Sequence, residues 1–380
     1  MHPSSILSYY PTYSVLDEVI SQGNYDTLNL YFDLKNNLQS LYMEHTIRNI
    51  IDSTTKSGIT DSSIFSSIIS FIAFHKMYAR KRQIKINIYI FFESGTSFFH
   101  TNIRKKYKIS RRIDDLYGLE REKRELFFTV MHKNLILAER ACNSLPGVKL
   151  FRMNHLEADF IPYYLISRNL VNTNENTGHI VYSNDHDLLQ CLTAGEHVYV
   201  FQKAFKTKRL VKSGEALYRS FKVKTTKSDE LLPLAMSVIG DTGDDVDGIK
   251  GVGPKRALDM MDSLIQLTGG MDLLYDNIMT KQPIFDISRV KTPNKYLNKV
   301  ITEEENNKLI SDNLKLVSFE LLSRYLDDPG SIEMVKLREY VNKINDDKTF
   351  SLIEPLREAI NKLNVVIQEE DLTTIYFGYL

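Results

Sequence analysis

The hydrophobic pattern of the chain changes character part-way along. In the first two thirds, short apolar runs with abrupt polar stops alternate with stretches of helical spacing; from about residue 231 helical spacing takes over almost wholly. Residues 28–32 form one such run, ending at Asp33, and residues 86–92 form another, ending at Glu93. Each reads as a buried strand with a carboxylate at its C-terminal end. Residues 148–152, 179–182 and 198–201 are expected to be further strands. Residues 38–51, 62–78 and 126–145 have helical periodicity, and the second places Phe65, Ile68, Ile69 and Ile72 on one face. A helix is also expected over residues 156–165, opening with Glu157 and Asp159. Strands alternating with helices predict an α/β fold, a mainly parallel central sheet flanked by helices.

Other stretches fall outside that sheet. Residues 1–26 are polar and Tyr-rich, with a short helix over 15–20, and are expected to form an extension before the fold proper. Residues 95–125 are charged, interleaved with Phe98, Phe99, Tyr107 and Tyr117, and read as a mobile helical excursion. Long amphipathic runs at 303–325 and 332–363 dominate the C-terminal part. The expected division is thus 1–26, an α/β core over 27–239, a helical region over 240–326 and a C-terminal helical region over 327–380.

Composition changes this picture in two places. With 380 residues, 43% of them apolar and 25% charged, the chain can bury a large core as a globular protein of two or three subdomains. The net charge of zero argues against a nucleic-acid partner only until its distribution is seen. Residues 104–112, RKKYKISRR, hold six cations and no acid, and residues 203–227 hold nine cations against Glu215 alone. The two cysteines, Cys142 and Cys191, are isolated in sequence and fit a reducing, cytoplasmic setting. No basic segment followed by an apolar core opens the sequence, and residues 64–74 are too short an apolar run to span a bilayer, so no membrane association is expected.

The most informative stretch is residues 240–257, GDTGDDVDGIKGVGPKRA. Asp241 and Asp244 are spaced so that both can project one way from a loop or first helical turn. Gly248, Gly251 and Gly253 permit close approach of backbone to another molecule, Pro254 suits the first turn of a helix, and Lys255 and Arg256 stand where a phosphate would be held. Taken alone, the stretch reads rather as an ordinary Gly-rich turn with solvated charges. Taken with Asp33, Glu93, Glu157, Asp159, Asp185 and Asp187, it supplies eight acids from five segments. Acids placed just after different strands of a parallel sheet converge beyond their carboxyl ends. Carboxylates so crowded repel one another, and an all-oxygen ligand set selects a hard divalent cation such as Mg²⁺.

In these motifs the sequence resembles the 5′ nuclease superfamily: flap endonucleases, the 5′ nuclease domain of bacterial DNA polymerase I, and bacteriophage 5′ exonucleases and ribonuclease H. GDTGDDVDGIKGVGPKRA resembles the family's last metal motif leading into its helix-three-turn-helix DNA module. SNDHDLL resembles the Ser-x-Asp-x-Asp motif, LEADF the Glu-Ala-Asp-Asp motif, and FFESGTSFFHTNIRKKYKISRR the stretch from a strand-end acid into a helical arch. The resemblance spans roughly residues 28–326. It implies a PIN-like nuclease core with an arch at about 95–125. Asp33, Glu93, Glu157, Asp159 and Asp185 would serve one metal, and Asp187, Asp241 and Asp244 a second, with Mg²⁺ as the ion and Mn²⁺ able to substitute.

The same resemblance puts Lys108 and Arg111 on the scissile phosphate as catalytic cations. Arg104, Lys105, Lys106, Gly248, Gly251, Gly253, Lys255 and Arg256 would lie along DNA, with K⁺ at the helix-three-turn-helix. The substrates implied are branched or nicked duplex DNA and RNA–DNA hybrid, cut by a monomer in DNA replication or repair, alongside replication proteins and in the host-cell cytoplasm if the source is a phage. Four positions depart from the family pattern. Glu93 stands for the commoner Asp, Phe160 for the second Asp of Glu-Ala-Asp-Asp, Leu34 for the Gly that usually follows Asp33, and Asp245 for Asn. A PIN-like ribonuclease and a non-catalytic binder of DNA structures are the alternatives.

Overall fold

A computed structural model describes residues 13–34, 63–94, 98–104, 134–154, 156–204, 207–285, 295–328 and 354–362, with residues 129, 335, 337–339, 341 and 342 besides. The helix expected at 38–51, the body of the excursion after residue 104 and most of 332–363 lie outside these residues. In chain order the elements are α1 (Tyr13–Gly23), β1 (Thr27–Asp33), α2 (Ser63–Arg82), β2 (Lys85–Ser94), α3 (Phe98–Ile103), a helical stretch over 134–142, β3 (Val148–Asn154) and α4 (Ile161–Ser167). There follow β4 (Thr177–Tyr182), a 3-10 turn (Asp187–Thr193), β5 (Val198–Ala204), β6 (Thr207–Val211), α5 (Ala216–Phe221) and α6 (Leu232–Ile239). The remainder is helical: α7 (Pro254–Thr268), α8 (Met271–Met279), α9 (Lys295–Thr302), α10 (Glu304–Val317), α11 (Phe319–Asp327) and α12 (Glu354–Lys362).

The strands form one six-stranded sheet in the order β3-β2-β1-β4-β5-β6. All neighbours are parallel except β6, which turns back antiparallel on β5. In such an order the chain winds outward in both directions from β1, and the crevice at the carboxyl ends of β1 and β4 is where an open α/β sheet binds its ligand. Asp33 closes β1 opposite Phe91, while Phe32 pairs with Tyr182, the last residue of β4. Two chain segments ending in acids therefore meet at the switch point.

Alternation along the strands divides the interior into two layers. Leu28, Leu30 and Phe32 of β1 join Ile86, Ile88 and Ile90 of β2 on the face covered by α1, α2, residues 135–145 and α12. Tyr31, Tyr89, Phe91, Phe151 and Val181 face the opposite way, onto α4 and the helices from α6 to α11. The second layer also carries polar groups that find partners. The Tyr31 hydroxyl lies 2.9 Å from His179 Nδ1, and Asn87 Nδ2 donates to Asn29 Oδ1 at 2.9 Å. Among the described residues, no helix is long and apolar enough to cross a membrane.

Three expectations need correcting. Residues 13–23 are part of the packed core: α1 buries Leu16 and Val19, and its Asp17 accepts from Tyr78 at 2.7 Å and from Arg82 at 2.5 Å on α2. Glu157 and Asp159 do not sit in a helix, because α4 starts at Ile161; Pro162 belongs in a first turn, where its missing N–H costs nothing, and so sets the start late. The run over 303–325 is two helices broken at Ser318. Its hydroxyl caps α11 by accepting from Leu321 N at 3.3 Å, and the buried Gln190 side chain takes the Phe319 N–H at 3.1 Å.

Candidate metal centre

The segment after β4 is shaped by its own side chains. Ser183, buried at the end of the strand, donates from Oγ to Asp33 Oδ2 at 3.2 Å and accepts from Asp185 N at 3.1 Å. Asp185 Oδ1 in turn accepts from Asp187 N at 3.1 Å, so the chain curls in two successive side-chain turns and passes into the 3-10 turn. Ser183 thus links β1 to β4 through Asp33. Sequence reasoning quoted it within a motif and gave it no role.

The loop after α6 is closed at both ends. Asp241 N donates to Val246 O and Val246 N to Asp241 O, each at 2.8 Å, and Ile249 N returns to Val238 O at 2.8 Å. Within it, Asp241 Oδ1 caps a short 3-10 turn by accepting from Gly243 N at 2.8 Å, and Asp245 takes a left-handed φ of 58°. Gly240 and Gly248 make the loop's crossing: a Cβ on Gly248 would stand 1.8 Å from Ile239 O, and one on Gly240 2.4 Å from Gly248 N. The loop also rests on α10, whose buried Asn313 donates from Nδ2 to Ser237 O at 2.8 Å and to Asp247 O at 2.7 Å.

These two constructions bring Asp187, Asp241 and Asp244 together, with a carboxylate oxygen from each lying within 4.8 Å of the others. Among the described residues, no other set of three His, Cys, Asp or Glu side chains meets as closely. Three hard oxygens at that spacing, one of them on the buried Asp244, fit a divalent cation. They are also the three acids that the resemblance assigns to a second metal.

The acids assigned to a first metal form no such group of three among the described residues. Asp33 and Asp185 are joined through Ser183 as above. Glu157, buried just before α4, has Oε1 3.7 Å from Nδ1 of the buried His100. Asp159 lies near enough to Cys191 to add to the burial that pushes that thiol's pKa up. Glu93 sits in β2 in register with Met153. His186, between Asp185 and Asp187, has its pKa lowered by partial burial and by Lys222 and Arg219, against the opposing pull of Asp185 and Asp241.

The expected DNA-contacting residues divide. Lys105, Lys106, Lys108 and Arg111 lie outside the described residues. Arg104 forms an ion pair with Asp247, which ties the segment after β2 to the acidic loop; Phe99 on α3 also packs on Tyr325 at 4.5 Å between ring centroids. Gly251 and Gly253 are exposed, with nothing within 4 Å of where a Cβ would be, and Gly251 has φ +86°. Gly253 precedes Pro254 at the start of α7, so the free N–H groups of that helix open to solvent beside the exposed Lys255. Arg256 is engaged internally, with Nη1 on Gly251 O at 2.8 Å and the guanidinium 4.3 Å from the Tyr296 ring centre. Of these residues, Gly248 answers to packing and Arg256 to holding its own turn.

Sequence reasoning overlooked Ser183, Asn313 and Gln190. The last two did leave a trace: Asn313 is a polar residue in the buried stripe of α10 with Ile310, Leu314 and Val317, and Gln190 lies among Leu188, Leu189, Cys191 and Leu192.

Comparison with known proteins bears on the whole arrangement. No family model matches the chain. A 5′-3′ exonuclease of Halalkalibacterium halodurans is 29% identical over 148 residues, which are 39% of this chain and 42% of that protein, so the match spans less than half of the relative. A solved structure of a bacteriophage T5 flap endonuclease in complex with DNA and metal ions superposes with a TM-score of 0.56 at 19% identity, covering 84% of this chain and 97% of that one. The T5 5′-exonuclease with zinc bound gives a TM-score of 0.54 at 20% identity, over 84% and 98%. At such identities the likeness is one of fold.

Proposed function

We propose that this chain, which has the fold of the 5′ nuclease superfamily, is a divalent-metal-dependent, structure-specific 5′ nuclease. It would hydrolyse phosphodiesters at 5′ flaps and 5′ ends of branched or nicked duplexes, RNA–DNA hybrid included, in DNA replication or repair. The observation that carries this reading is the meeting of Asp187, Asp241 and Asp244 at the carboxyl edge of the sheet, beside the switch point between β1 and β4.

Asp187, Asp241 and Asp244 would hold one cation, and Asp33, Glu93, Glu157, Asp159 and Asp185 a second, Mg²⁺ with Mn²⁺ as substitute. When bound, such ions supply an activated water near neutral pH and neutralise charge on the phosphate. The protein's own part is positioning. Ser183 orients Asp33, the closed loop over 240–249 fixes Asp241 and Asp244, and Asn313 anchors that loop to α10. Lys108 and Arg111 would add positive charge where negative charge develops. The open N-terminus of α7, with Gly251, Gly253 and Lys255, would grip duplex phosphates as part of a helix-three-turn-helix over 240–326, with K⁺ as its ion and an arch over 95–125 passing a single-stranded 5′ end.

The test is cleavage of a 5′-labelled flapped duplex, with DNA and RNA flaps in parallel, in Mg²⁺ and in EDTA. Cutting near the junction that needs Mg²⁺ and is lost in Asp185→Asn supports the reading. Tight binding with no cutting under any divalent ion replaces it with a non-catalytic binder of branched DNA.

A further inference from the structure

A group of cations gathers on the flank of the acidic centre formed by β5, β6 and α5. The antiparallel register sets Arg209 opposite Gln202, so both side chains share one face at the edge of the sheet. Gln202 is buried, and its Oε1 accepts from Arg219 Nε at 2.6 Å. That bond fixes the guanidinium plane, and among the described residues nothing accepts from its two terminal nitrogens. Lys222 ends α5 in a left-handed conformation with φ 58°, and its Nζ reaches back to Arg219 O at 2.6 Å. Arg209 has Glu215 at 3.5 Å as its acidic neighbour.

This group adjoins the acids. α5 packs on the 3-10 turn that begins with Asp187. Lys222 has its pKa lowered by burial and then by Arg219 and Arg209, which marks the three as mutually close. Lys222 and Arg219 also act on His186 from the side opposite in sign to Asp185 and Asp241. Cations held together beside a cluster of carboxylates make a boundary between positive and negative potential, and a phosphodiester bridging to metal-loaded acids matches both sides of it.

We propose that Arg209, Arg219 and Lys222 form a phosphate-binding cluster that holds the nucleic-acid backbone next to the scissile linkage, on the β5–β6 flank of the acidic centre. This rests on the nuclease reading above and assigns to that site a second grip, placed across the sheet from the segment that follows β2. The planar fork of Arg219, pre-set by Gln202, would take two phosphate oxygens, with Lys222 as the point charge beside it. Contacts of this kind position the strand and carry no base preference.

The experiment measures binding of a fluorescein-labelled 5′-flapped duplex by anisotropy in Ca²⁺ over a salt series, together with single-turnover cleavage in Mg²⁺. The proteins are wild type, Arg219→Ala/Lys222→Ala, Arg219→Lys, and Arg80→Ala on the opposite face of the sheet as a control. Loss of two phosphate contacts predicts affinity down by about tenfold or more at ~0.1 M salt, a salt slope smaller by about two, and cleavage at sub-saturating enzyme down in proportion to the affinity. Arg219→Lys should recover part of the affinity, and the control none of the loss. A double variant that melts as wild type does and keeps the wild-type affinity and slope overturns the cluster while leaving the nuclease reading intact. A wild type that neither binds nor cuts the flapped duplex overturns both.

Discussion

Asp187, Asp241 and Asp244 hold like charges within 4.8 Å, a separation at which each pair repels by about 3 kcal/mol at an effective dielectric near 20. Asp241 is partly exposed and water screens it, so the realised cost is a fraction of that. Asp241→Asn keeps the oxygen that accepts from Gly243 N. It is expected to raise unfolding free energy in EDTA by about 1 kcal/mol, to lose most of the stabilisation that Mg²⁺ gives the wild type, and to cut flap cleavage by roughly 100-fold or more. Melting curves with and without Mg²⁺ check the first two, and single-turnover kinetics the third. His75 makes a second residue-level prediction. Its Nδ1 lies 2.8 Å from Phe71 O and must donate, so its Nε2, 3.0 Å from the Tyr182 hydroxyl, accepts. Burial pushes its pKa down to about 4, and burial followed by His197 does the same for His179. Below the unfolded value near 6.5 only the unfolded chain takes up these protons. Stability is therefore full above about pH 6.5 and falls as pH drops toward 4, by roughly 3 kcal/mol per histidine. Urea unfolding of His75→Phe at pH 7 and 4.5 should show that fall reduced by about its share, whatever the change at neutral pH.

At the scale of elements, the glycines of one loop separate into two kinds. Gly248→Ala would drive a Cβ into the Ile239 carbonyl, and a loss of roughly 3 kcal/mol or more is expected in chemical denaturation. Gly253→Ala meets open space with φ −89°, so stability should change by only about 0.5 kcal/mol while duplex affinity falls about tenfold if backbone meets phosphate there. Gln190→Leu would strand Val317 O and Phe319 N at the α10–α11 junction and cost about 2 kcal/mol. β1 to β5 and α2 were legible because short apolar runs and 3.6-residue spacing report burial directly. The late start of α4 and the break at Ser318 were not, since a proline's preferred turn and a cap from a distant glutamine act against a continuous apolar pattern. The acid triad was legible as motifs, whereas the links made by Ser183, Asn313 and Gln202 depend on which elements fold against each other.

Over the whole molecule, the sheet order puts the first strand in the middle. β1 pairs Thr27 with Lys85 on one side and with Thr177 on the other, and Ser183 links its terminal Asp33 to the acids after β4. Alternation of strands and helices foretold a parallel sheet, but not which strand would be central, because sequence order does not fix neighbours. That placement governs how the protein is made. β1 must wait for a partner some 150 residues downstream, and contacts so distant in sequence slow folding, with refolding from urea expected on a timescale of about seconds. The acids are later still, since the third of them, Asp244, lies beyond the whole sheet. A nascent chain therefore cannot bring the three acids together until the loop that carries Asp241 and Asp244, beyond the last strand of the sheet, has been translated.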